Sequence, residues 1–88
     1  MRIDTRKKLR NVAGENIVIM SDGQASDMTR VVAFNESALE VYNALKERKF
    51  ELDDVVRVLT DIYEVDEATA RRDAEAWIAA MRKNDMLL

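Results

Sequence analysis

The chain has 88 residues, enough for one domain, and its 48% hydrophobic and 35% charged residues describe a globular chain rather than a disordered one. It has no Cys and no His, which excludes disulfides, thiol nucleophiles and zinc–cysteine sites and removes the commonest general base and transition-metal ligand. The net charge of −3 is unevenly spread: residues 1–10 carry +4, from five bases and Asp4, which leaves −7 on the remainder, a body that repels nucleic-acid phosphate.

The basic start, from Arg2 to Arg10, reads as a solvated strand edge or a frayed tail. It holds no apolar stretch of the signal-peptide kind, and no apolar run approaches the roughly 20 residues of a membrane span. The expected location is the cytoplasm. Both glycines fall before residue 25 and there is no Pro, so turns are concentrated in the first third. Three β segments are predicted there: about 6–12, 17–20 and 29–34. Ala13-Gly14-Glu15-Asn16 suits a tight hairpin connection, and Ser21 to Asp27 forms a longer polar loop. In the third segment alternation puts Met28, Arg30, Val32 and Phe34 on one face, with Arg30 expected at the strand start.

Asn35 then reads as a helix N-cap with Phe34 and Leu39 as a hydrophobic staple. A first helix over about 36–47 presents Ala38, Val41, Tyr42 and Leu45 on one stripe. A second over about 52–63 presents Val55, Val56, Leu59, Ile62 and Tyr63, with Asp53 and Asp54 at its positive end. A third opens at the cap Asp66, with Val65 and Ala70 as staple, and presents Ala70, Ala74, Trp77, Ile78 and Met81. Trp77, Tyr42 and Tyr63 are expected in the core, the tyrosines with a wet hydroxyl. Asp53/Asp54 and Asp66/Glu67 cap helices rather than form acid–base pairs, and Arg71 and Arg72 pair with Glu67 or Glu75. Met86-Leu87-Leu88 tucks against the core. The order is α+β and winged-helix-like, a three-stranded antiparallel sheet followed by three helices in a single domain over residues 1–88.

Several pieces in order carry a resemblance: Leu9-Arg10-Asn11-Val12-Ala13-Gly14-Glu15-Asn16-Ile17-Val18-Ile19, Val32-Ala33-Phe34-Asn35-Glu36-Ser37-Ala38, Val55 to Asp66, Asp73-Ala74-Glu75-Ala76-Trp77-Ile78 and Asp85-Met86-Leu87-Leu88. Over these the chain resembles the PqqD-like proteins, named for pyrroloquinoline quinone biosynthesis protein D and also described as RiPP recognition elements. It departs from the family where Lys46-Glu47-Arg48-Lys49-Phe50 replaces a Gly-containing turn and where Asn84-Asp85 replaces a Gly, with Asn84 expected to take the left-handed cap.

The resemblance implies a non-catalytic domain, with no cofactor and no metal, that binds the leader segment of a ribosomally made precursor peptide. It presents that peptide to a modifying enzyme, in the usual family association a radical S-adenosylmethionine maturase. The peptide lies as an added strand beside the third strand, in a cleft whose other wall is the third helix. The site residues implied here are Arg30, Val31, Val32 and Ala33 on the strand and Arg71, Glu75, Ile78 and Arg82 on the helix. Two Arg around an apolar patch suit an acidic, apolar leader. An edge strand also admits a second copy of the chain as a homodimer. A winged-helix nucleic-acid binder and an enzyme-docking adaptor stay open as alternatives. The first is disfavoured because the second helix carries only Arg57 among Asp53, Asp54 and Asp61.

Overall fold

In the computed structural model, residues 1–21 and 29–88 are described, with side chains from 1–19 and 31–88. The order is β1 (Leu9–Val12), β2 (Glu15–Ser21), β3 (Thr29–Phe34), α1 (Glu36–Leu45), α2 (Leu52–Ile62) and α3 (Glu67–Lys83). The expected loop from Ser21 to Asp27 and the face position of Met28 lie, beyond Ser21, outside the described residues. The three strands form one antiparallel sheet in the order β1-β2-β3, so β1 and β3 are its two edges.

β1 and β2 are joined by a two-residue turn, with Val12 opposite Glu15. Ala13 and Gly14 both have positive φ, 53° and 85°, as a turn with two left-handed residues requires. The alternation of β2 and β3 holds: Val18 and Phe34 face the helices and are buried, while Ile19 and Val31 face away and are exposed.

Each helix starts on a side chain that accepts an orphan backbone N–H. Asn35 Oδ1 accepts from Ala38 N at 2.8 Å, and Asp66 Oδ1 accepts from Thr69 N at 2.8 Å. At α2, Asp54 Oδ2 accepts from the N–H of Glu51 at 2.8 Å, a reciprocal cap that the aspartates alone did not reveal. The expected stripes are buried at Val41, Tyr42 and Leu45 on α1, Val55, Val56 and Leu59 on α2, and Ala70, Ala74, Ile78 and Met81 on α3.

Two expectations change at the ends. The left-handed residue after α3 is Asp85, with φ 55°, and not Asn84. Asn84 caps by side chain, Nδ2 to Ala80 O at 2.8 Å. The N–H of Met86 then reaches Met81 O at 2.8 Å and that of Asp85 reaches Arg82 O at 3.2 Å, the paired bonds of a Schellman stop. That turn drops Met86 into the core at 0% exposure.

Leu9 and Arg10 do stand on the edge strand β1, but residues 1–7 are neither a strand edge nor a frayed tail. Ile3 pairs with Leu87, Leu88 N donates to Arg2 O at 2.8 Å, and Asp4 N donates to Met86 O at 2.7 Å. On the other side Phe50 N donates to Met1 O at 2.8 Å and the Met1 amine donates to Phe50 O at 2.7 Å. Ile3, Phe50 and Met86 are buried together with the helix stripes, so the arm closes the core between the α1–α2 loop and the tail. Its charge is met locally. The Arg6 guanidinium grips buried Asp4 through Nε at 2.9 Å and Nη2 at 3.0 Å, and Lys7 Nζ lies 3.6 Å away. This turn is why β1 begins at Leu9 rather than Arg6.

Candidate peptide-binding site

Hydrogen-bond direction along β3 follows from the hairpin. A two-residue turn makes Val12 and Glu15 a hydrogen-bonded pair, and pairing alternates from there. Glu15, Ile17 and Ile19 therefore turn their backbone groups toward β1, and Asn16 and Val18 turn theirs toward Phe34 and Val32 of β3. The N–H and C=O groups of Val31 and Ala33 are left pointing outward from the sheet. Among the described residues no strand pairs with that edge. The outward edge carries apolar side chains at both positions, Val31 at 57% exposure.

Just past the end of β3, starting at Asn35, lies a groove of about 570 Å³. Asn35, Ser37, Ala38 and Val41 of the α1 end form one wall, Leu59, Tyr63 and Val65 the base, and Asp73, Ala76, Trp77 and Ala80 of α3 the other wall. Small side chains at 38, 76 and 80 keep the two helices from filling the space between them. Trp77 joins the walls: its Nε1–H donates to Ala38 O at 3.3 Å, and its ring lies 6.0 Å from that of Phe50. It was expected in the core and is half-buried instead, packed on the core with one side on the groove. Partial burial pushes the Tyr63 hydroxyl above its usual pKa, and the carboxylates of Glu40 and Glu36 add to the shift.

The sequence-derived site residues separate in space. Arg30, Val31, Val32 and Ala33 all lie in β3, though the side chain of Arg30 falls outside the described residues. Val31 and Ala33 supply the open edge; Val32 is half-buried and faces the helices. The four helix residues are not brought to the groove. At 100° per residue, Arg71, Glu75, Ile78 and Arg82 centre about 180° from the face formed by Asp73, Ala76, Trp77 and Ala80. Ile78 is core at 7% exposure. Arg71 reaches α2, with Nη2 3.2 Å from Asp53 Oδ1 and 3.6 Å from Glu67 Oε1, and Arg82 reaches back to Met1 Sδ at 3.6 Å. The buried stripe of α3 has two flanks, and spacing alone does not say which one lines the groove. The flank that does carries the small residues around the tryptophan, Ala76 and Ala80.

Among the described residues no three or more His, Cys, Asp or Glu side chains gather as a metal site. No helix is long and apolar enough to cross a membrane. The comparisons with curated proteins and with solved structures returned no match. Residues 16–87, from the start of β2 to the C-terminal tail, match the family model described as coenzyme PQQ synthesis protein D (PqqD), and the chain belongs to the PqqD family.

Proposed function

We propose that this protein binds the leader segment of a ribosomally made precursor peptide as a fourth strand on β3, and holds it in the cytoplasm for a separate modifying enzyme. Members of the PqqD family bind a precursor peptide and do no catalysis themselves. The observation that supports the reading is the open β3 edge, with a groove between α1 and α3 that begins at Asn35, the residue after the strand. Main-chain groups at Val31 and Ala33 give a peptide hydrogen bonds that do not depend on its side chains. Alternate side chains of the added strand then project toward the helices, into the groove. A radical S-adenosylmethionine maturase is the enzyme this role calls for in the usual family arrangement. A second copy can take the same edge as a homodimer, in which case peptide and copy exclude each other.

The test is amide hydrogen exchange by NMR with and without a leader peptide. Protection should rise at the N–H of Val31 and Ala33 and stay level at Val32, whose N–H is already bonded to β2. Protection confined to residues outside β3 would refute strand addition.

A further inference from the structure

The groove has a charge, and it is opposite to the one Arg71 and Arg82 promised. Asp73 lines it and makes no ion pair with any described residue. The carboxylates of Glu36 and Glu40 act on Tyr63 at its base, and no Lys or Arg is among the described lining residues. Of the four α3 cations, Arg71 is engaged with Asp53 and Glu67, Arg82 lies against Met1, and neither Arg72 nor Lys83 is a lining residue. The rest of the lining is mostly apolar, with polar Asn35 and Ser37 at the α1 end and two aromatic surfaces, Trp77 and Tyr63.

Resting on the strand-addition reading, we propose that the groove selects leader segments with a large apolar side chain and, two residues away, a Lys or Arg, and that Asp73 is the residue that selects the base. The spacing follows from the two lattices. Asp73 and Trp77 stand one turn apart on α3, about 6 Å at 1.5 Å per residue. In an added strand the side chains on one face recur every two residues, about 6.7 Å apart. Where the added strand runs along α3, an apolar anchor seated against Trp77, Ala76 and Ala80 sets the next inward side chain beside Asp73. An acid there meets Asp73 with no compensating cation among the described groove residues, so the pattern discriminates by repulsion as well as by attraction.

The experiment pans a display library of random 12-residue peptides against the wild-type protein, Asp73→Lys and Val31→Pro, each confirmed as folded by circular dichroism. Synthetic hits are then titrated by fluorescence of Trp77, the only tryptophan in the chain. Wild type should enrich an apolar residue with Lys or Arg at the second position after or before it. Asp73→Lys should enrich Asp or Glu at that place. Exchanging Lys for Glu in a wild-type hit should weaken binding on the order of fivefold, an effect that shrinks at high salt. The same charge preference on both proteins, or none on either, overturns the selectivity of Asp73 while leaving strand addition standing. Hits that bind Val31→Pro as well as wild type overturn strand addition, and this inference with it.

Discussion

A proline at Val31 tests the binding edge with little effect on the fold. The Val31 N–H points away from β2, so its loss breaks no hydrogen bond of the sheet, and an edge strand tolerates Pro at such a position. The side chain is 57% exposed, so little packing is lost with it. A leader strand, by contrast, loses one donor and meets the pyrrolidine ring where its own backbone should lie. An unmet hydrogen-bonding partner costs about 1–3 kcal/mol, which weakens binding roughly 5- to 150-fold. Val32→Pro is the matched control: its N–H bonds to β2, so that variant should lose stability. The assay is calorimetric titration of a leader peptide against both variants, with urea unfolding in parallel. A folded Val31→Pro protein that binds as tightly as wild type would refute the placement of the peptide on β3.

Trp77→Ala should destabilise by about 2–3 kcal/mol, below the cost of a fully buried Trp because one side faces the groove, and should lower the melting temperature by roughly 10–20 °C. Trp77→Phe should keep most of that stability, since only the bond to Ala38 O and part of the ring are lost, as differential scanning calorimetry will show. Ala13 sits at φ 53° in the hairpin turn, where Asn is far better tolerated, so Ala13→Asn should raise stability by about 1 kcal/mol in urea unfolding. Asp4 is held at a pKa of about 2, below its usual 3.8, chiefly by the Arg6 guanidinium. Because the folded value is the lower one, its contribution is present above about pH 4 and lost as pH falls toward 2. The Arg6 side chain is 81% exposed, so screening limits the effect to roughly 1 kcal/mol. The stability gap between wild type and Asp4→Asn should close by most of that amount between pH 5 and pH 2.5; a constant gap would deny the ion pair its role.

Periodicity carried the sheet order, the three helices and most of the core, because burial on one face is written into the spacing of Val41, Tyr42, Leu45, Val55, Leu59, Ala74 and Ile78. Caps at Asn35 and Asp66 were legible because each is a short side chain bonded three residues along its own chain. What spacing does not carry is contact between distant segments. Nothing local in Ile3 says that it pairs with Leu87, or in Phe50 that it anchors Met1. Which flank of α3 lines the groove is of the same kind: that β3 is an edge follows from strand order, whereas whether Asp73 or Arg71 faces the groove depends on how α3 is rotated against α1 and α2.

The two edges of the sheet are treated differently. β1 is four residues long, flanked by exposed Lys8 and carrying exposed Arg10, features that discourage pairing with another chain. β3 carries one charge, Arg30 near its start, and none from Val31 to Phe34, and the groove begins at Asn35 just past its end. An unguarded edge is a liability in a protein this small, so leaving one open beside an apolar groove makes physical sense if a strand is meant to arrive there. The arrangement also divides the work. In the proposed binding mode, backbone pairing at Val31 and Ala33 contributes similarly to every extended peptide, while Asp73 and Trp77 see only the side chains that alternate inward. Val31→Pro should therefore weaken all leaders by a common factor, and Asp73→Lys should reorder them without changing the mean. Two variants that fail in these separate ways distinguish affinity from choice.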